Sequence, residues 1–319
     1  MDEETMNRLI NHARHFPTPG PELTVAYTPI RLALPGRPPL ELRLTAPAEG
    51  DDVPVVVFSH GFGPSNYIPS KDGYAPLAQF WAERGIAVIQ PTHASSRVAG
   101  LDPDLPDAPF FWRERLAEMR AILDQLGEVE HQAPAVSGRL DHDRIAVVGH
   151  SFGGSTCSML LGARLHAEDF SDPRIKAGIL LAAPGRGGAD LTPENAERFP
   201  FFDLDFSHIR TPTLVVCGAD DDPHFTPRGP EWHADPFHDA PGAEALVTIA
   251  GVGHGLGGVA GWDSKETEVE SPDALESTRR LTLAWLRRQF RIGADDWALS
   301  REVVRKSAAV TAEIVEKRS

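Results

Sequence analysis

Gly149-His150-Ser151-Phe152-Gly153, followed by Gly154, carries the residue types of an activated serine. The G-x-S-x-G pattern alone is common, so its context decides. Arg144-Ile-Ala-Val-Val148 before it reads as a strand, and Ser155-Thr-Cys-Ser-Met-Leu-Leu161 after it reads as a helix. A turn that sharp strains the serine backbone and lifts Oγ into the open, while small neighbours avoid collision. The helix N-terminus then directs free N–H groups at developing negative charge. Ser151 is the candidate nucleophile.

An activated serine needs oxyanion donors, a base and an acid. Phe58-Ser-His-Gly-Phe-Gly63 ends an apolar run, and Gly61 and Gly63 let its loop turn tightly. Phe62 N–H and Phe152 N–H are the candidate oxyanion donors. His60 is expected to brace this loop, and Ser59 lacks an elbow of its own. Val216-Cys-Gly-Ala-Asp-Asp-Asp222 places three aspartates after a later strand. The Gly218-to-Asp221 spacing favours Asp221 as the acid, with Asp222 second, since one residue of loop geometry exchanges them. His254, within Gly251-Val-Gly-His-Gly-Leu-Gly-Gly258, is the candidate base. The chain order Ser, Asp, His is then complete.

Weaker candidates surround these. His93, after an apolar run, and Trp232 with His233, in the loop leaving the acid's strand, are expected to line the substrate pocket. His224, His233 and His238 lie among aspartates, but their spacing fits no ligand template, so no metal is expected. No cofactor is expected either.

The elements that must position these groups follow from periodicity. Six apolar runs (Pro54–Phe58, Gly85–Gln90, Arg144–Val148, Ile175–Ala182, Thr213–Cys217 and Ala245–Ile249) alternate with helical stretches. That pattern predicts an α/β fold with a mostly parallel sheet and helices on both faces. Residues 74–84 and about 111–126 have helical spacing, and Ser271-Pro272 starts a closing helix. Residues 23–34 and 39–45 predict an antiparallel hairpin, preceded by a short helix over 1–16 containing Met6, Leu9 and Ile10. Residues 184–212, with Phe199-Pro-Phe-Phe202, are long enough for only a small flap, and 292–319 reads as a helical tail. One domain over 1–319 is the economical organisation.

The net charge of −15 disfavours nucleic acid and anionic membrane as partners. No apolar run reaches a membrane span, and the acidic N-terminus does not resemble a signal peptide. Cytoplasmic residence is the expectation, with secretion after processing left open. Cys157 and Cys217, the only cysteines, read as core residues. Oligomeric state is left open.

With elbow, oxyanion loop, acid and base in place, residues 54–290 resemble the α/β-hydrolase superfamily. The wording of Phe58–Gly63 and Gly149–Gly154 is similar to platelet-activating-factor acetylhydrolase-like enzymes. Cutinase and polyester hydrolase-like and chlorophyllase-like esterases are also similar. In the acetylhydrolase-like group the acid comes one strand earlier, near Leu181-Ala-Ala-Pro184, where this chain has no Asp or Glu. The resemblance implies hydrolysis of a small-molecule carboxylic ester without a cofactor. A peptidase or amidase, an acyltransferase and a non-catalytic binding protein of the same fold are the alternatives.

Overall fold

Val55, Val56, Val57 and Phe58 are apolar and buried, so strand β3 (Val53–Ser59) shows neither face to water. The computed structural model describes residues 10–62, 70–99, 104–105, 107–262, 269–306 and 312–317. Met6 and Leu9 of the expected first helix, and Gly63 of the oxyanion loop, lie outside the described residues.

Beside β3 run β1 (Thr24–Leu32), β2 (Leu40–Pro47), β4 (Ala87–Pro91) and β5 (Leu140–His150). Further along come β8 (Ile175–Leu181), β10 (Thr213–Gly218), β11 (Ala243–Ile249) and β12 (Ala312–Glu316). Among the described residues they form one nine-stranded sheet in the order β1-β2-β4-β3-β5-β8-β10-β11-β12. The six apolar runs are β3, β4, β5, β8, β10 and β11, each parallel to its neighbours among them. The expected hairpin is β1 and β2, antiparallel, and β2 joins β4 antiparallel.

The parallel strands are covered on both sides. Val55, Val57, Ile89 and Val147 pack under α2 (Trp112–Asp124), which follows α1 (Ala75–Ala82), and under α4 (Phe152–Leu161), which follows α3 (Leu126–His131). Val56, Phe58, Val88 and Val148 face Leu77 and Trp81 of α1 on the other side. Trp285 and Leu286 of α7 (Pro272–Phe290), which follows α5 (Pro193–Arg198) and α6 (Asp235–Asp239), complete that layer. Each such side chain contributes about 1.5–3 kcal/mol when fully buried. Ser271 caps α7 by accepting from Ala274 N at 3.4 Å, with Pro272 in the first turn.

The expectation of a wholly helical tail needs correcting. Among the described residues the tail is helical only in α8 (Asp296–Lys306); residues 312–316 form β12, antiparallel to β11. The β-branched pair Ile314-Val315 suits a strand, and pairing with β12 satisfies the backbone groups on the outer side of β11. The 184–212 segment also has regular structure that the sequence did not suggest. Its β9 (Leu204–Asp205) pairs with β6 (Arg164–Leu165), which pairs with β7 (Glu168–Asp169), in a second small sheet. Phe199, Phe201 and Phe202 are buried in one aromatic cluster with Phe152.

The chain passes from β3 to β4 on one side and then returns from β4 to β5 on the other side of β3, which makes the β3–β5 boundary a topological switch point. Ser59 and Gly149 are register partners there, so the loop after β3 and the turn after β5 emerge side by side. No helix among the described residues is long and apolar enough to cross a membrane.

Candidate active site

Ser151 has φ +54° and ψ −123°, a conformation that L-residues rarely adopt, between the end of β5 and the first turn of α4. The surrounding glycines are demanded by packing. A Cβ on Gly153 would lie 2.0 Å from the Ser59 carbonyl oxygen, and one on Gly149 would lie 2.1 Å from that of Gly153. The turn is therefore pressed directly against the end of β3.

His254 Nε2 lies 2.8 Å from Ser151 Oγ, and His254 Nδ1 lies 3.0 Å from Asp221 Oδ2. The carboxylate only accepts, so Nδ1 carries the proton and Nε2 is left to accept from the serine hydroxyl. Asp221 is 4% exposed, whereas Asp220 and Asp222 face solvent. Of the three adjacent acids, the turn after β10 brings only Asp221 to the imidazole. Burial pushes its pKa up, but the imidazoles of His233 and His254 outweigh burial and hold the carboxyl well below its ordinary range. An imidazole so placed can take the hydroxyl proton as Oγ attacks, while the ionised carboxylate fixes the tautomer and stabilises the imidazolium.

Phe152 begins α4, where the first N–H groups have no intrahelical acceptor. The Phe62 ring, on the loop after β3, lies 6.4 Å from the Phe152 ring, so the two candidate donor segments are adjacent.

The three expected pocket-lining residues are buried. His93 is fully buried, with Ser59 Oγ 3.0 Å from its Nε2 and Glu118 Oε2 2.8 Å from its Nδ1. Trp232 is also fully buried, and its indole N–H donates to the Arg186 carbonyl at 2.9 Å. Neither offers surface to a substrate, because His93 turns inward onto the Ser59 and Glu118 side chains and Trp232 onto a backbone carbonyl. His233 is buried as well: Nδ1 donates to the Ala183 carbonyl at 2.7 Å and Nε2 stands 3.2 Å from Asp221 Oδ2. It is a second neighbour of the acid. Asp221, His233 and His254 group three ligand-type atoms within 4.8 Å, whereas His224 and His238 are exposed and outside that group.

Several site neighbours were not singled out from sequence. His150 Nε2 donates to the His254 carbonyl at 2.8 Å, its Nδ1 accepts from Tyr74 OH at 2.8 Å, and Tyr74 OH accepts from Gly61 N at 3.1 Å. Burial pulls the His150 pKa down to about 3, so the ring is neutral and this tautomer is the one that satisfies both contacts. His60 does brace its loop: Nε2 accepts from His93 N at 3.0 Å and Nδ1 donates to the Gly61 carbonyl at 2.6 Å. Beneath it, Arg115 and Glu118 are fully buried. Burial lowers the Arg115 pKa to about 10, and raises that of Glu118 to about 7 against its contacts with Arg37 and Ala94. Their signal in the sequence was spacing: Arg115, Glu118 and Ile122 share the inward side of α2.

A strained serine at the switch point of a doubly wound sheet, with its histidine and aspartate on the loops after β11 and β10, defines an α/β-hydrolase. The sequence profile of the Alpha/beta hydrolase family matches residues 56–315, and the chain belongs to that family. Among solved structures it is similar to EstE1, a thermophilic and thermostable carboxylesterase cloned from a metagenomic library. The two share 17% identity at a TM-score of 0.56, over 90% of this chain and 94% of that one, which is a likeness of fold. No curated protein matches the sequence.

Proposed function

We propose that the protein hydrolyses a small-molecule carboxylic ester through an acyl-enzyme formed on Ser151. The observation that carries this reading is the continuous line from Ser151 Oγ through His254 to Asp221, at 2.8 and 3.0 Å. Ser151 Oγ attacks the carbonyl carbon as His254 Nε2 takes its proton. Phe62 N–H and Phe152 N–H stabilise the tetrahedral oxyanion, and collapse expels the alcohol with the proton from His254. Water, activated by the same imidazole, then attacks the acyl-enzyme and frees Ser151. Every group required is a side chain or backbone amide of the chain, so the mechanism uses no cofactor. Phe62 and Phe110, partly exposed rings 5.3 Å apart beside Phe152, give the acyl group an apolar wall. The fold shared with a carboxylesterase agrees with this reading.

Hydrolysis of p-nitrophenyl esters from acetate to palmitate tests it. The reading expects turnover on part of the series and little on the matching p-nitroanilides. Turnover of anilides with poor turnover of every ester would assign amide hydrolysis instead.

A further inference from the structure

Arg115 spends all five of its N–H groups inside the protein. Nε donates to Thr156 Oγ1 at 3.1 Å, Nη1 to Ser95 Oγ at 2.7 Å and to the Gly61 carbonyl at 3.3 Å. Nη2 donates to Ser59 Oγ at 2.9 Å and to the His60 carbonyl. The nearby carboxylate of Glu118 is not among its hydrogen-bond partners. Glu118 instead binds Arg37, His93 and Ala94 N, leaving Arg115 directed at two successive carbonyls of the loop after β3. The guanidinium also lies 4.5 Å over the Phe152 ring, and Thr156 belongs to α4. Arg115 thus stands at the junction of the two segments that carry the candidate oxyanion donors.

The Gly61 carbonyl and the Phe62 N–H belong to one trans peptide, in which C=O and N–H point to opposite sides. That carbonyl is held on the buried side by two donors, His60 Nδ1 and Arg115 Nη1. From the other side of the residue, Tyr74 OH holds Gly61 N. We propose that Arg115, with His60, is a positioning residue that locks the Gly61–Phe62 peptide plane and aims Phe62 N–H out of the buried network toward Ser151. Freed of these donors, the peptide can rotate and present its carbonyl oxygen where the oxyanion forms, replacing attraction with repulsion. The inference rests on the ester-hydrolase reading and assigns the residue that sets its oxyanion geometry.

Arg115→Met and His60→Ala test it, with kcat and KM measured on a p-nitrophenyl ester alongside the affinity of a trifluoromethyl ketone, a mimic of the tetrahedral intermediate. For Arg115→Met the expected result is a fall in kcat of about 10²-fold, KM within about threefold, and ketone affinity falling in parallel. His60→Ala leaves the buried charge in place and removes the other donor, so a fall in kcat of about tenfold is expected. It carries the test if Arg115→Met does not fold, with circular dichroism reporting the fold of each. A folded His60→Ala that keeps wild-type kcat and ketone affinity overturns the lock, as does a loss confined to KM. A wild-type chain that neither turns over esters nor reacts with a fluorophosphonate overturns the ester-hydrolase reading, and the lock with it.

Discussion

His150 Nε2 donates to the carbonyl oxygen of His254 at 2.8 Å, joining the residue before the candidate nucleophile to the candidate base through its backbone. The imidazole of His254 hangs from a glycine-rich loop, and this bond anchors that loop to the last residue of β5. His150→Phe keeps an aromatic volume and removes the anchor along with the acceptor for Tyr74 OH. Misplacing the base by a fraction of an ångström is expected to lower kcat by about 10- to 100-fold with a smaller effect on KM. Steady-state kinetics on a soluble p-nitrophenyl ester measure both.

Asp221 and Asp222 are chain neighbours with opposite surroundings, one against His254 and the other in solvent. Asp221→Asn is expected to lower kcat by about 10⁴-fold, since an amide no longer fixes the imidazole tautomer. Asp222→Asn should leave kcat within about twofold. The ratio between the two rates is the quantity to compare, and near-equal rates would remove Asp221 from its role.

The elbow's glycines make a stability prediction. Gly153→Ala forces a methyl group to within 2.0 Å of the Ser59 carbonyl oxygen, backbone against backbone, with no flexible side chain to yield. A loss of about 3 kcal/mol in unfolding free energy is expected from such overpacking. Urea denaturation measures it, and an unchanged midpoint would mean that the turn sits further from β3.

Glu118 gives a pH dependence with a definite sign. Burial raises its pKa to about 7 from an ordinary 4.5, so the folded chain holds a proton that the unfolded chain has released between those values. Stability from this group is fully present below about 4.5 and lost as pH rises through about 7. Glu118→Gln cannot ionise, so the melting temperature of the wild type relative to the variant should drop between about pH 5 and about pH 8. Thermal melts at several pH values check this, and a difference that rises with pH would contradict it.

The six parallel strands were legible because a strand buried on both faces must be apolar at every position, as Val53–Phe58 is. Ser151 and His254 stood out because their glycines report tight backbone, whatever the rest of the chain does. The aspartate run left two candidates, since the choice depends on which side of the turn after β10 meets His254, a contact made 33 residues away. Whether loop residues such as His93 and Trp232 turn outward or inward is decided by distant partners, here Glu118 and Arg186. Arg115 lies on the inward side of an amphipathic helix, where spacing alone does not distinguish a buried guanidinium from a solvated one. The strand at 312–316 needed the free edge of β11 to exist at all, and a five-residue segment carries no such information locally.

In the proposed reaction Ser151 is the nucleophile and His254 drives it. Peptide mapping by mass spectrometry after reaction with a fluorophosphonate tests it most directly. The expected result is one adduct, on the peptide carrying Ser151, lost in a folded Ser151→Ala variant and strongly slowed in His254→Ala. An adduct on another residue, or labelling that persists in Ser151→Ala, would contradict it.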